Sequence, residues 1–189
     1  MERRWFNGIN MKKNLLLVFL LATFSVIAQD KMITKTGKIT FEASVPSFEE
    51  VKATNDNVSC VLNTKTGEIA ALALQKGFRF KIALMEEHYN ENYVESHKFP
   101  KATFKGIIEK FSVSDLDKNG KNYIIKGTLE LHGKSKEIQI TAKISKTDKG
   151  IELKSDFAVN ADDFAIEIPS VVSKKVSKKV NVKLDFTVR

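Results

Sequence analysis

From Lys38 to Val188 the chain repeats one pattern, an apolar side chain at every second position, in run after run. A strand turns successive side chains to opposite faces, so each run presents one apolar and one polar face. Ile39, Phe41 and Ala43 share a face in the first run, and Phe78, Phe80, Ile82 and Leu84 in a strand expected over residues 78–84. Tyr123, Ile125, Gly127, Leu129 and Leu131 follow, then Ile138, Ile140, Ala142 and Ile144. Ile151, Leu153, Phe157 and Val159 precede the last run of Val180, Val182, Leu184, Phe186 and Val188. The alternate positions are largely Lys, Glu, Thr, Asp and Asn. No stretch sustains the period of a long helix.

Turn signals divide the runs. They are Asn63 to Gly67, His132-Gly133-Lys134 and Thr147 to Gly150, with Asp117-Lys118-Asn119-Gly120 the strongest hairpin signal because Asn-Gly tolerates positive φ. About eight strands with short connections predict an all-β barrel or sandwich. An eight-stranded antiparallel sheet with one apolar face can close on itself, which removes its edges and turns that face inward. At about eight strands the interior holds side chains or one ligand. The inward positions mix bulky Phe41, Phe78, Phe80, Phe104, Phe157 and Phe186 with small Ala43, Gly106, Gly127 and Ala142. This mixture can leave a channel or pack as a solid core, and composition alone favours the solid core.

The first 28 residues read as a secretory signal peptide. Lys12-Lys13 precede an apolar run from Leu15 to Ile27 that ends in small Ala28. The run is too short for a membrane helix, which needs roughly 20 apolar residues. Met11 begins a complete signal by itself and is an alternative start. Cleavage after Ala28 leaves one domain over residues 29–189, with 27 Lys and Arg against 22 Asp and Glu, and lowers the net charge from +8 to +5. A mildly basic exported chain without an aromatic stacking platform argues against nucleic-acid binding. Cys60, the single cysteine, rules out an intramolecular disulfide and reads as a small buried hydrophobe.

Residues 84–106, LMEEHYNENYVESHKFPKATFKG, break the alternation. The first part is too rich in Glu, His, Tyr and Asn for an ordinary strand, and residues 86–94 can form two helical turns. Phe99-Pro100 ends any helix, and Ala102, Phe104 and Gly106 resume a strand. This stretch resembles the YceI-like family, lipid-binding proteins with a lipocalin-like barrel, whose short insertion precedes an "fP.atFkg" strand. The resemblance covers residues 35–189. GTLELHGKSKEIQI at 127–140 is similar to a family hairpin, Asp156-Phe157 and Asp163-Phe164-Ala165-Ile166 to its late segments, and 180–188 to its closing strand. Ala165 stands where the family usually has Gly, and residues 41–63 lack the family's His-containing signature.

The resemblance implies an antiparallel eight-stranded lipocalin-like β-barrel with a short helical insertion, and a tunnel for an isoprenoid or fatty-acyl chain. It implies no catalysis and no cofactor besides bound lipid. The lumen is then expected to be lined by Phe41, Phe78, Phe80, Ile82, Phe104, Gly127, Leu129, Ala142, Phe157 and Phe186. Met85, His88, Tyr89 and Tyr93 form a mouth or lid, with the tyrosine hydroxyls reaching water or a headgroup. The expected protein is periplasmic or secreted and soluble after cleavage, with transient membrane or envelope-protein contacts.

Competing sites read weakly. His88 and His97, with Glu86, Glu87, Glu91 and Glu95, lack the ligand spacing that Zn²⁺ requires. His132 reads as a turn residue rather than a base, and Asp162-Asp163 as a loop feature. Lys174-Lys175 and Lys178-Lys179 read as a solvated turn that can also meet an anionic headgroup. The rival functions are a solid barrel that docks an envelope partner through residues 84–100 and, more weakly, an enzyme acting on a lipid-like substrate through His88 or His132.

Overall fold

The computed structural model describes residues 30–189. The signal peptide expected over residues 1–28 therefore lies outside the described residues, apart from which the chain forms one antiparallel sheet. Its strands are β1 (Lys31–Ser44), β2 (Lys52–Asn63), β3 (Glu68–Leu74), β4 (Arg79–Phe80), β5 (Lys101–Ile108), β6 (Lys121–Leu131), β7 (Lys134–Thr147), β8 (Gly150–Asn160) and β9 (Val176–Val188). β1 pairs with both β2 and β9, so the eight long strands close into a ring. The two-residue β4 adds only to the start of β2. The expected eight-stranded barrel is the one formed.

The alternating apolar residues point inward, but β1 and β2 each change phase. The register between them shifts on both sides of Gly37. These bulges keep Thr34 as well as Ala43, and Ala53 and Asn55 as well as Val58, Cys60 and Leu62, on the buried side. Gly37 is required here, because a Cβ on it would sit 2.5 Å from the Phe186 ring.

One half of the barrel is solid. Val58, Cys60, Leu62, Ile108, Ala142, Ile144, Ile151 and Val188 are buried together. The β5–β6 connection closes this end by sending Leu116 into the core, with Phe111 and Val113 against it. Phe111 and Tyr123 meet at 5.9 Å between ring centroids. The tight hairpin expected at Asp117–Gly120 is not formed. Asp117 instead accepts hydrogen bonds from the Asn119 and Gly120 amides, both at 2.9 Å, at the end of this plugging loop. The physical reason is that apolar residues upstream of the turn are buried beneath the barrel rather than paired in a ladder.

The strand expected over residues 78–84 is also corrected. It stops at Phe80, which pairs with Ala53 near the start of β2. Beyond that point no strand remains to pair with, so the backbone bonds internally as helix α1 (Ala83–His88). Leu84 accordingly faces solvent, at 57% exposure.

Two measurable consequences follow from this architecture. Burial pushes the Cys60 thiol up to about 12, so at pH 8 it stays unreactive toward a soluble disulfide reagent until denaturant is added; fast native labelling would contradict its placement. Ala165 is exposed and held at φ 53, a left-handed conformation that strains a side chain. Ala165→Gly is expected to raise the unfolding free energy by about 1 kcal/mol in urea denaturation.

Candidate functional site

The other half of the barrel encloses a cavity of about 510 Å³. Every strand except β2 contributes, through residues such as Ala43, Ala71, Ala102, Leu129, Ile138, Val159 and Val182. Phe80, next to Arg79 in β4, also reaches it. Four segments meet around its mouth: the β1–β2 loop with Phe48 and Val51, the insertion after β3, the β6–β7 turn, and the β8–β9 connection with Phe164, Ile166, Ile168 and Val172. The walls are almost entirely hydrocarbon, so water inside gains few partners and an apolar chain gains contact with every wall.

The insertion is built on one carboxylate. Glu86 accepts from Arg79 at 2.8 Å and from the Phe80 backbone amide at 3.1 Å, which fastens α1 to β4. α1 runs into a π turn over Tyr89–Tyr93, closed by Val94 N–H donating to the Tyr89 carbonyl at 2.9 Å. The wider turn aims Tyr89 into the barrel, where its ring lies 5.3, 5.9 and 5.2 Å from those of Phe41, Phe78 and Phe80. Its hydroxyl donates to Gln75 Oε1 at 2.6 Å, and burial pushes the phenol well above its usual range.

A second tie crosses the rim. His132 Nδ1 lies 3.0 Å from the Phe164 carbonyl and Nε2 3.1 Å from Glu95. Both partners are acceptors, so the ring satisfies both only with a hydrogen on each nitrogen. Phe99 packs edge-on against the imidazole at 4.6 Å, and Lys98 donates to the other oxygen of Glu95. His132 thus joins the β6–β7 turn, the insertion and the β8–β9 connection.

Of the residues expected in the lumen, Phe41, Phe78, Phe80, Phe104, Leu129, Phe157 and Phe186 line the cavity. Ile82, Gly127 and Ala142 do not. Ile82 caps α1 at the edge of the insertion. Ala142 lies in the solid half. Gly127 sits opposite Gly106 under the Phe104 ring, whose Cζ would be 2.8 Å from a Cβ on either. All four mouth residues, Met85, His88, Tyr89 and Tyr93, line the cavity, though the Tyr89 hydroxyl meets Gln75 rather than water. Gln75, Val94, Phe164 and Ile166 were not expected there. Gln75 and Val94 follow no alternation, and Phe164 belongs to a motif noticed only as a resemblance.

The polar candidates are largely accounted for. Asp162 pairs with Lys178 at 2.9 Å and Asp163 with Lys136. No group of three or more His, Cys, Asp or Glu among the described residues is placed to hold a metal ion.

The model of the YceI-like domain matches residues 22–188. The chain belongs to the YceI-like family. Solved structures share the barrel at low identity. A polyisoprenoid binding domain from Saccharophagus degradans, implicated in plant cell wall breakdown, matches at TM-score 0.72 and 17% identity, covering 85% of this chain and 98% of that one. Burkholderia cenocepacia BcnA matches at 0.65 and 13%, covering 79% and 94%. The Campylobacter jejuni YCEI protein matches at 0.61 and 17%, covering 77% and 88%. No curated protein matches the chain. Against this family, the left-handed Ala165 directly follows Phe164, whose carbonyl holds His132.

Hydrogen bonds from Lys98 and His132 hold the Glu95 carboxyl below its ordinary value of 4.5. A depressed carboxylate stabilises the fold above that ordinary value and loses its contribution as pH falls through the lowered one. Glu95→Gln is therefore expected to lower the melting temperature at pH 7, with the difference from wild type shrinking as the pH is taken down through and below 4.5, a comparison that calorimetry over a pH series makes directly.

Proposed function

We propose that this YceI-like barrel is an exported binding protein that holds a long apolar lipid, of isoprenoid or fatty-acyl type, as carrier or reservoir and without covalent chemistry. The observation that carries the reading is the half-open lumen: a cavity of about 510 Å³ with apolar walls above a solid core. Ligand sites fall in this size range, and each buried CH₂ contributes about 0.8 kcal/mol before ordering costs. Family membership and the likeness to the polyisoprenoid binding domain from Saccharophagus degradans support an isoprenoid-like ligand. The signal-like first 28 residues support export to the periplasm or beyond.

The outer face supports a barrel that works in water. Lys105, Lys126, Glu130, Lys143, Lys154 and Lys183 are exposed on it, the inverse of a membrane barrel, which turns apolar residues outward. Among the described residues no helix is long and apolar enough to cross a membrane. A filled barrel acting only through its insertion loses its premise, because the insertion lines an open cavity rather than capping a packed core.

The test is to fill the lumen. Ala71 and Val182 line the cavity, and Ala71→Phe with Val182→Phe adds bulk inside while leaving the insertion and outer face alone. Mass spectrometry of protein purified without detergent should show a solvent-extractable apolar adduct in wild type. The folded double variant should take up at least about ten-fold less added isoprenoid alcohol. Equal uptake by a folded, blocked barrel would overturn the lumen site.

A further inference from the structure

Every junction of the barrel is paired, but one is paired along only part of its length. The β7–β8 ladder runs from Thr147 and Gly150 to Ala142 and Ser155, and there it stops. Residues 134–141 continue β7 against β6 alone, and residues 156–160 continue β8 against β9 alone. Ser155 Oγ donates to the Thr141 carbonyl at 2.7 Å and marks the fork. From the fork to the rim the wall carries a slot, with alternate backbone groups of each strand facing it. The β2–β3 ladder is also short, but β4 pairs with β2 beside it and Asn55 Nδ2 donates to the Leu74 carbonyl at 3.1 Å. Among the described residues no strand pairing or side-chain hydrogen bond stitches residues 134–141 to 156–160 in this way.

The segment after β8 fills the slot instead. Phe164 ends a short 3-10 turn, Ala161–Phe164, and is fully buried. Its ring lines the lumen and also an outer groove of about 360 Å³ bordered by Lys136, Ala158, Asn160 and Lys179. Ile138 of β7 and Val159 of β8 line both spaces as well, so these three side chains stand between them. Three side-chain ties hold the turn. Lys136 of β7 pairs with Asp163, and Lys178 of β9 pairs with Asp162 at 2.9 Å. His132, just ahead of β7, holds the Phe164 carbonyl at 3.0 Å and so bridges the slot at its open end.

We propose that this slot is a lateral gate through which an apolar chain enters and leaves the lumen sideways, with Phe164 as its plug and His132 and Asp163 as its latches. Parting a fully laddered junction breaks a row of backbone hydrogen bonds. Swinging the turn away from the slot breaks only its side-chain ties and the packing of one ring. The hinges are at hand: the Asn160 side chain accepts from the Asp162 amide at 3.1 Å where the turn begins, and left-handed Ala165 ends it. A long chain entering end-on must thread its whole length past the rim, whereas the slot lets it lie in along its length. This inference rests on the lipid-binding reading above and adds the route by which the lipid is exchanged.

The experiment places a removable bar across the slot. Extending the ladder register sets Gln139 opposite Ala158; both are exposed and neither lines the lumen. Gln139→Cys with Ala158→Cys in the mature protein is bridged by a short bis-methanethiosulfonate that a reductant removes, with Cys60 buried and out of reach. Uptake of cis-parinaric acid is followed by its fluorescence in stopped flow, and release by displacement with geranylgeraniol. The bar should slow both steps by about ten-fold, and reductant should restore them. Phe164→Ala, which removes the plug, should speed release. Hydrogen exchange on wild type gives a readout that needs no variant: alternate amides of residues 135–141 and 156–160 should exchange fast, while those in the β6–β7 and β8–β9 ladders stay protected. Equal rates with and without the bar, or uniform protection across the slot, would overturn the gate and leave lipid binding intact. Failure of the unbarred protein to bind either lipid would overturn the lipid reading itself.

Discussion

Closure of the sheet through β1 is the constraint on which everything else depends. β1 pairs with β2 along one edge and with β9 along the other, so no long strand is left with an unpaired edge. Closure fixes the inside and the outside at once: a residue shifted by one position along any strand would exchange a lysine for an isoleucine in the lumen. The bulges around Gly37 show how firmly that choice is held. The backbone departs from regular pairing there, and in return β1 and β2 keep buried residues on the inner side along their whole length.

A closed barrel still has two ends, and this chain treats them differently. At one end the β5–β6 connection folds Leu116, Phe111 and Val113 against the core, and large side chains fill the layer above. At the other, small residues such as Ala43, Ala71 and Ala102 alternate with rings around the cavity. Here the longest connections are spent on making walls rather than a plug. The insertion after β3 and the β8–β9 segment both return to the mouth, where His132 ties them together. The lumen is therefore neither the open tunnel nor the solid core that composition allows, but one of each in series.

How legible this was in the sequence varies with the range of the interaction. Inward faces of β6 to β9 were readable because alternation is local and each face repeats. The partners of Phe80 were not, since the strand's end is set by where β2 begins, far along the chain. Gly127 and Ala142 alternate correctly yet miss the cavity. One lies under a ring from the same sheet and the other beneath the level where the filling stops, and neither fact is a property of its own strand. Asn-Gly at 119–120 promised a tight hairpin, but burial of Leu116 outweighed the local turn preference. Glu95 and His132 read as separate features because nothing in the sequence brings residues 95 and 132 together.

The same long-range logic explains why the polar content of the lumen escaped sequence reading. Gln75 follows the last residue of β3 and looks like the first residue of a loop. It becomes an interior residue only because the Pro100 carbonyl takes its amide and Tyr89 reaches it from the π turn. That turn in turn depends on Glu86 fastening α1 to the strand below. A buried amide under the wall of the apolar chamber is thus the product of three segments brought together by the insertion. The Gln75 oxygen gives the buried Tyr89 hydroxyl its acceptor, so a leucine of comparable size in its place would leave that hydroxyl unpaired.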